Sequence, residues 1–557
     1  MVWNTWNTRL LQQALEEIDE SLLDDLEEII PPLRGETFNP TELSNRSNLV
    51  EILAAFAPSD YFKKKENMKQ CLKYLPSQNL RSLVRHLVEC GVEVQRGSFE
   101  EMVEGILRQR WSNNDFSTAF VEFFDLPSHF ISPESEKLPS YIDIEPLSPD
   151  NGPIISKPLK NLIDYQTQVY VDANKALEVP RSRFIIQMPT GSGKTRTSME
   201  IIANHLKQAP SGSVVFWLAH SSELCEQAYQ CFIEVWQYLA DKPLKAVRCW
   251  GSHPVPQSFE KSMFIVGGFQ KVHSILRKDE NAFAMLSGRI GLIVVDEAHK
   301  AVAPTYKSAI QQLTGMNTSV VGLTATPGRT DIEETEEMAE FFFEAKVNIK
   351  TDSGVSEIEM LKQRKVLAQI DYIPIQSPLN IELTASQKRS LEKTFDFPKG
   401  FLATVASSNV RNLEIMKKLL LSCREGRRIL FFACNVKHSR FITSLLTYFG
   451  IKAAHVDGTT AKHRREHVIE AFRNGDIQVL CNYGVLTTGF DAPNTDEVFI
   501  SRPTNSVVLY SQMIGRGLRG TTIGGTERCR ISDVKDNISG FGNQVRVYHW
   551  FEEFWDN

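Results

Sequence analysis

Apolar positions in the first part of the chain fall at helical spacing. Leu11, Leu15, Ile18, Leu22, Leu26 and Ile29 recur three and four residues apart, so their side chains share one helix face. Pro31 and Pro32 follow; lacking an amide N–H, they are expected to end that helix. The same spacing predicts helices over 49–56, 68–75, 80–90 and 99–110, and aromatic side chains crowd residues 116–130. Residues 1–130 therefore read as a small all-α domain. Prolines at 133, 139, 146, 149, 153 and 158 mark residues 131–158 as a linker.

Beyond that point the period changes. Short unbroken apolar runs, FIIQM (184–188), SVVFWLA (213–219), FIVGG (264–268), GLIVVD (291–296) and SVVGLTA (319–325), alternate with helical stretches. A strand covered on both faces shows such a run, so these are expected to be parallel strands with helices on either side. A second series follows: RRILFFA (427–433), KAAHV (452–456), IQVLCN (477–482) and TDEVFIS (495–501). The pattern predicts two α/β domains, over 159–350 and 351–535, and an aromatic tail over 536–557. In the tail, Trp550, Phe551, Phe554 and Trp555 suit a helix packed back on a domain, or a patch for a protein partner.

Composition excludes several classes. At 42% hydrophobic and 23% charged residues the chain is of ordinary globular type. No apolar run is long enough to span a bilayer, and the first residues lack the pattern of a secretion signal, so no membrane partner is expected. The nine cysteines never fall as C-x-x-C, which disfavours a zinc ribbon or disulfide scaffold and suits a reducing cytoplasm. Charge is unevenly spread. Residues 1–150 hold 14 Lys and Arg against 26 Asp and Glu, a balance of -12, and leave +6 for the remainder. A phosphate-binding surface is therefore expected in the later part, and a protein-docking or autoinhibitory role in the acidic one.

Residues 188–195, MPTGSGKT, lie between an apolar strand and a helical stretch, the setting that a phosphate-binding loop needs. Thr190, Gly191, Ser192 and Gly193 would form the cradle, with the glycines letting backbone amides approach phosphate oxygens. Lys194 would reach the β- and γ-phosphates, and the Thr195 hydroxyl would bind Mg²⁺. GLIVVDEAH ends in an acidic pair. Asp296 would hold Mg²⁺, and Glu297 would act as general base toward the attacking water.

MPTGSGKT, DEAH (296–299), LTATPGR (323–329) and QMIGRGLRG (512–520), in that order, resemble the motif series of superfamily 2 helicases and translocases over residues 160–520. TATP and the Q-x-x-G-R-x-x-R pattern resemble most the branch of the type I and III restriction-enzyme motors and the excision-repair helicase. The resemblance implies two tandem RecA-like domains with parallel sheets, ATP between them, and nucleic acid, DNA above all, across both. It further implies that Tyr165 and Gln166 recognise adenine, with Gly489 and Asp491 at the ribose. His299, Thr324 and Thr326 would couple hydrolysis to domain motion, and Ser221, Ser222, Gly268, Gln270, Thr487 and Thr488 would contact nucleic acid. Gln512 would orient groups near the γ-phosphate. Arg516 and Arg519, three apart and expected on one helix face, would serve as arginine fingers. No nuclease or methyltransferase signature stands out, so in a restriction-like or antiphage setting cleavage would come from another chain.

Overall fold

The computed structural model describes residues 16, 19–34, 46–57, 61–124, 126, 130–131, 139–146, 157–255, 261–279, 281–298, 301–325, 332–351, 355–394, 396–486, 494–504 and 506–539. The expected positions His299, Thr326, Thr487, Thr488, Gly489 and Asp491, the aromatic tail, and Leu11, Leu15 and Ile18 lie outside them.

Two sheets organise the α/β part. Strands β1 (Tyr141–Ile144), β2 (Arg183–Gln187), β3 (Val214–Ala219), β4 (Leu244–Cys249), β5 (Met263–Gly268), β6 (Ile290–Asp296), β7 (Ser319–Thr324) and β8 (Lys346–Asn348) form the first. Their spatial order is β1-β4-β5-β3-β6-β7-β2-β8. All pairs are parallel except β1 with β4. Strands β9 (Gln369–Glu382), β10 (Ile429–Phe432), β11 (Ala453–Val456), β12 (Val479–Asn482), β13 (Glu497–Ile500) and β14 (Arg528–Ser539) form the second, ordered β11-β12-β10-β13-β14-β9 and parallel throughout. Every residue of β3, β4, β5, β7 and β10 is buried; in β3, β5, β7 and β10 this is the physical reason for the unbroken apolar runs, whereas β4 buries Lys245 and Arg248 against Asp143 and Glu226.

The linker expectation is corrected in part. Within it, Tyr141–Ile144 adds an antiparallel edge strand to the first sheet, and Asp143 bonds Lys245 at 2.9 Å and Lys261 at 3.3 Å. Four residues pinned by ion pairs are too few for periodicity to reveal. The β9–β14 ribbon was equally hidden, because β9 is an edge strand of irregular exposure in which Ile375 alone is fully buried. Pro374 and Pro378 sit four apart on it, where missing N–H groups blunt an open edge against further pairing.

Among the described residues of the first 124, helices run over Glu20–Arg34, Arg46–Ala55, Lys65–Lys73, Ser77–Glu89, Phe99–Leu107 and Asn114–Phe123. Ser98 and Glu101 form a reciprocal cap at the fifth. Phe62, Trp111, Phe116, Phe120 and Phe124 interlock at ring separations of 4.8 to 6.0 Å. Contrary to expectation, Pro31 and Pro32 do not end the first helix, which runs on to Arg34. They fall in its last turn, where the carbonyls losing a donor belong to exposed Glu27 and Glu28 and stay hydrated. Leu33 meanwhile continues the buried stripe of Leu22, Leu26 and Ile29.

These helices share one apolar core with the second sheet's helices Asn409–Arg424 and Val436–Tyr448. A buried cation fixes the join. Arg440 donates from Nε to the Phe56 carbonyl at 3.0 Å, and from Nη2 to the Leu53 carbonyl at 3.0 Å and to Asp19 Oδ2 at 3.3 Å. Asp19 also accepts from the Tyr61 hydroxyl at 3.0 Å. The lobe built on the second sheet thus satisfies Arg440 entirely with groups of the helical domain.

Arg440→Ala should therefore strand a buried carboxylate and two carbonyls, at roughly 3–5 kcal/mol; a urea melt of the full chain measures this as a lower midpoint. The same lobe sets a pH dependence. Burial pushes the His438 imidazole down to about 3, below its ordinary value near 6.5. As pH falls the unfolded chain gains that proton first, so stability drops from about pH 6.5 downward. His438→Gln should flatten this slope in melts taken between pH 7 and pH 5.

Candidate functional site

Strand exits of the first sheet assemble the site. β7 lies between β2 and β6, so the loop after β2, the end of β7 and the end of β6 meet side by side. Gln187 pairs with Thr324, Met188 N–H donates to the Thr324 carbonyl at 3.1 Å, and Leu323 pairs with Asp296. Thr324 is fully buried, at the junction between phosphate loop and acidic pair.

Gly191 and Gly193 adopt φ of +84° and +86°, a region costly for any residue with a Cβ. They turn the chain so that Gly193 caps helix Lys194–Gln208. The Ser192 carbonyl accepts from the Tyr165 hydroxyl at 2.7 Å and from Gln166 Nε2 at 2.9 Å, while Gln166 Oε1 accepts from Ile163 N–H at 3.0 Å. Both ends of the Gln166 amide are therefore used inside the protein, bracing the loop. Lys194 and Thr195 open the helix half-buried, and no ion pair ties the Lys194 ammonium to another described residue.

Asp296 is 7% exposed and accepts from the Glu297 N–H at 3.0 Å. Glu297 has φ +54°, strained for a residue with a side chain. Its carboxylate is aimed at the other lobe, where Gln512 Nε2 lies 3.5 Å from Oε1. The Arg516 guanidinium also feels this carboxylate; burial lowers its pKa to about 10 and Glu297 opposes that shift. Arg516 therefore keeps its charge at neutral pH.

Here a third expectation is corrected. Helix Val507–Ile514 ends before both arginines, with Gly515 as its cap, so they do not share a helix face. Beyond the cap, glycines permit close packing. A Cβ on Gly517 would lie 2.3 Å from Cys529 Sγ, and one on Gly520 2.1 Å from the Lys365 carbonyl oxygen. Arg519 instead pairs in an antiparallel bridge with Leu367, and burial together with Arg473 lowers its pKa to about 10. Arg516 and Arg519 thus have different surroundings, and Arg516 is the one beside Glu297.

The segment carrying Arg516 lies on the phosphate loop. A Cβ on Gly515 would fall 2.2 Å from Thr190 Cγ2, and one on Gly191 would fall 3.9 Å from Leu518 Cβ. Sequence reasoning missed the support of this segment. Tyr510, on the same helix as Gln512, donates to Asp533 of β14 at 2.7 Å, and Tyr372 of β9 donates to the same carboxylate at 3.1 Å. No local pattern announces a tyrosine pair on a distant aspartate. Thr195 and Asp296 present hard oxygen donors, the chemistry that Mg²⁺ requires.

The expected nucleic-acid contacts of the first lobe share one edge, because β5 and β3 are parallel neighbours. Ser221 caps helix Ser222–Leu239, accepting from Leu224 N–H at 3.3 Å, and Ser222 is exposed. Gly268 ends β5 against Trp250, and Gln270 is exposed on helix Phe269–Lys278.

Comparison with known proteins agrees with this layout. Residues 159–329 match the family described as type III restriction enzyme, res subunit, and residues 411–521 match the helicase conserved C-terminal domain. A 51.5 kDa protein of a Lactococcus phage is 27% identical over 60% of this chain and 62% of its own length. The putative ATP-dependent helicase IRC3 of Saccharomyces cerevisiae is 27% identical over 64% of this chain and 49% of its own. The chain thus spans about half to three-fifths of the curated relatives it matches. Among solved structures, the type ISP restriction-modification enzyme LlaBIII is 17% identical over 72% of this chain and 29% of its own, at a TM-score of 0.48. The chain thus carries, with a nucleotide loop facing an arginine segment between them, a res-type domain and a helicase conserved C-terminal domain, the paired domains of the superfamily 2 helicases.

Proposed function

We propose that the chain is an ATP-driven nucleic-acid motor acting on DNA, a helicase or duplex translocase, and that it serves a restriction-like or antiphage system in the cytoplasm. The observation that carries the reading is the convergence of Arg516, Gln512 and Glu297 beside the phosphate loop. The res-subunit match supports DNA over RNA, and nine free cysteines suit a reducing compartment. Among the described residues no helix is long and apolar enough to cross a membrane.

ATP would lie on the loop of Thr190, Gly191, Ser192 and Gly193, with Lys194 against the β- and γ-phosphates. Thr195 and Asp296 would hold Mg²⁺, which supplies neutralisation of phosphate charge when bound. Glu297 accepts a proton from water attacking the γ-phosphorus; that P–O bond forms as the bond to the ADP oxygen breaks. Arg516 leaves Glu297 for the transferred phosphoryl group, and Gln512 orients the water. Loss of the γ-phosphate removes the charge bridging the lobes, and the cleft opens. Backbone phosphates gripped on both lobes would then advance with little regard to sequence.

Lys194→Ala should abolish ATPase activity, and Glu297→Gln should bind ATP without turning it over. Arg516→Ala should lower kcat by about 10³-fold or more with little change in nucleotide affinity. ATPase assays with single-stranded DNA, duplex DNA and RNA identify the track. Triplex displacement on duplex DNA tests movement; ATPase without displacement would indicate a sensing switch. Gly515→Ala should hold the lobes apart through its clash with Thr190, lowering kcat and enlarging the radius of gyration in small-angle scattering.

A further inference from the structure

Two stretches of backbone join the lobes. After β8, at one edge of the first sheet, the chain crosses over residues 349–368 to β9, at one edge of the second. That crossing is the hinge. β1 forms the opposite edge of the first sheet, seven strand intervals from β8. At about 4.8 Å per interval it stands roughly 34 Å from the hinge edge.

β1 is bound to the first lobe. It pairs over four residues with β4. Arg248 donates from its backbone N–H to the Ser140 carbonyl and from Nη1 to the Pro139 carbonyl, each at 2.8 Å. Its guanidinium is held in turn by Glu226 at 3.2 Å and lies over the Tyr229 ring at 3.9 Å.

Phe130 belongs to the other body. It is buried in the core shared by the helical domain and the second lobe. Its carbonyl accepts from Trp111 Nε1 at 2.8 Å, and its ring meets Phe62 at 4.9 Å. The helical domain also touches the helix after β11, the strand farthest from β9, where Arg464 donates to the Ala55 carbonyl at 3.5 Å. Nine peptide steps, Phe130 to Pro139, therefore join an anchor on the second lobe to an anchor on the first.

We propose that β1 is a strap that limits how far the cleft between the lobes opens. Nine extended steps reach about 30–32 Å at most. A swing about the hinge edge displaces β1 by about 6 Å for every 10°, given its lever of roughly 34 Å. The reach is therefore used up at a finite angle. The helical domain fixes the far end of the strap, and the strap keeps the lobes near enough for Gly515 to return to Thr190. This goes beyond the motor reading and is measured without turnover.

The test inserts six or twelve Gly/Ser residues between Ser135 and Glu136 of the full chain. Twelve such residues between Met316 and Asn317, at an exposed turn of the first lobe, serve as the control for added mass. Small-angle scattering without nucleotide should give both strap inserts a larger radius of gyration than the control, the longer insert more so, at the melting temperature of the unmodified chain. The local concentration of tethered partners falls roughly as the −3/2 power of tether length, so KM for ATP should rise about two-fold with six residues and about four-fold with twelve, at unchanged kcat. A twelve-residue strap insert with a radius no larger than the control overturns the proposal. If the unmodified chain hydrolyses no ATP, the motor reading fails, and scattering alone decides for or against the strap.

Discussion

Everything about the site depends on two backbones approaching where a side chain would not fit. Gly515 lies so close to Thr190 that a Cβ there would sit at 2.2 Å from its methyl. That contact lays the next residue, Arg516, beside the phosphate loop and against Glu297. Partial burial makes the Arg516 guanidinium costly to hold charged, and the nearby Glu297 carboxylate offsets part of that cost. On the proposed reading, a γ-phosphate at the same place would offer Arg516 a stronger counter-charge and free Glu297 for proton transfer. Its backbone at φ +54° keeps it aimed across the cleft.

A second constraint decides what moves. Arg440 is satisfied by Asp19 and by the carbonyls of Leu53 and Phe56, and the surrounding core is continuous. The helical domain and the second lobe therefore travel as one body. Any change in the cleft would therefore carry the acidic helices along with β10 to β14.

Legibility followed the range of the interactions. The phosphate loop, the acidic pair and nine of the strands were readable because each is specified within about ten residues: glycines for a left-handed turn, a carboxylate ending an apolar run, continuous Val and Ile under two layers of helix. Features specified by distant partners were not. The Tyr510–Asp533–Tyr372 brace joins three separate elements. The β9 edge strand shows no clean period because one of its edges and parts of its faces meet water. Arg516 and Arg519 look like one helix face at three-residue spacing, yet the helix ends at Ile514, and glycines at 515, 517 and 520 let the segment beyond it pack closely on Thr190, Cys529 and Lys365. The double proline at 31 and 32 misled for the same reason: burial of Leu33 outweighed a local stop signal.

Net charge is a poor guide to this molecule for a related reason. The total of -6 would discourage any nucleic-acid partner, but charges act over a Debye length of about 8 Å at physiological salt. What a phosphate meets is set by the groups within that distance. At the phosphate loop these include Lys194 and, from the facing segment, Arg516, cations that the chain total conceals.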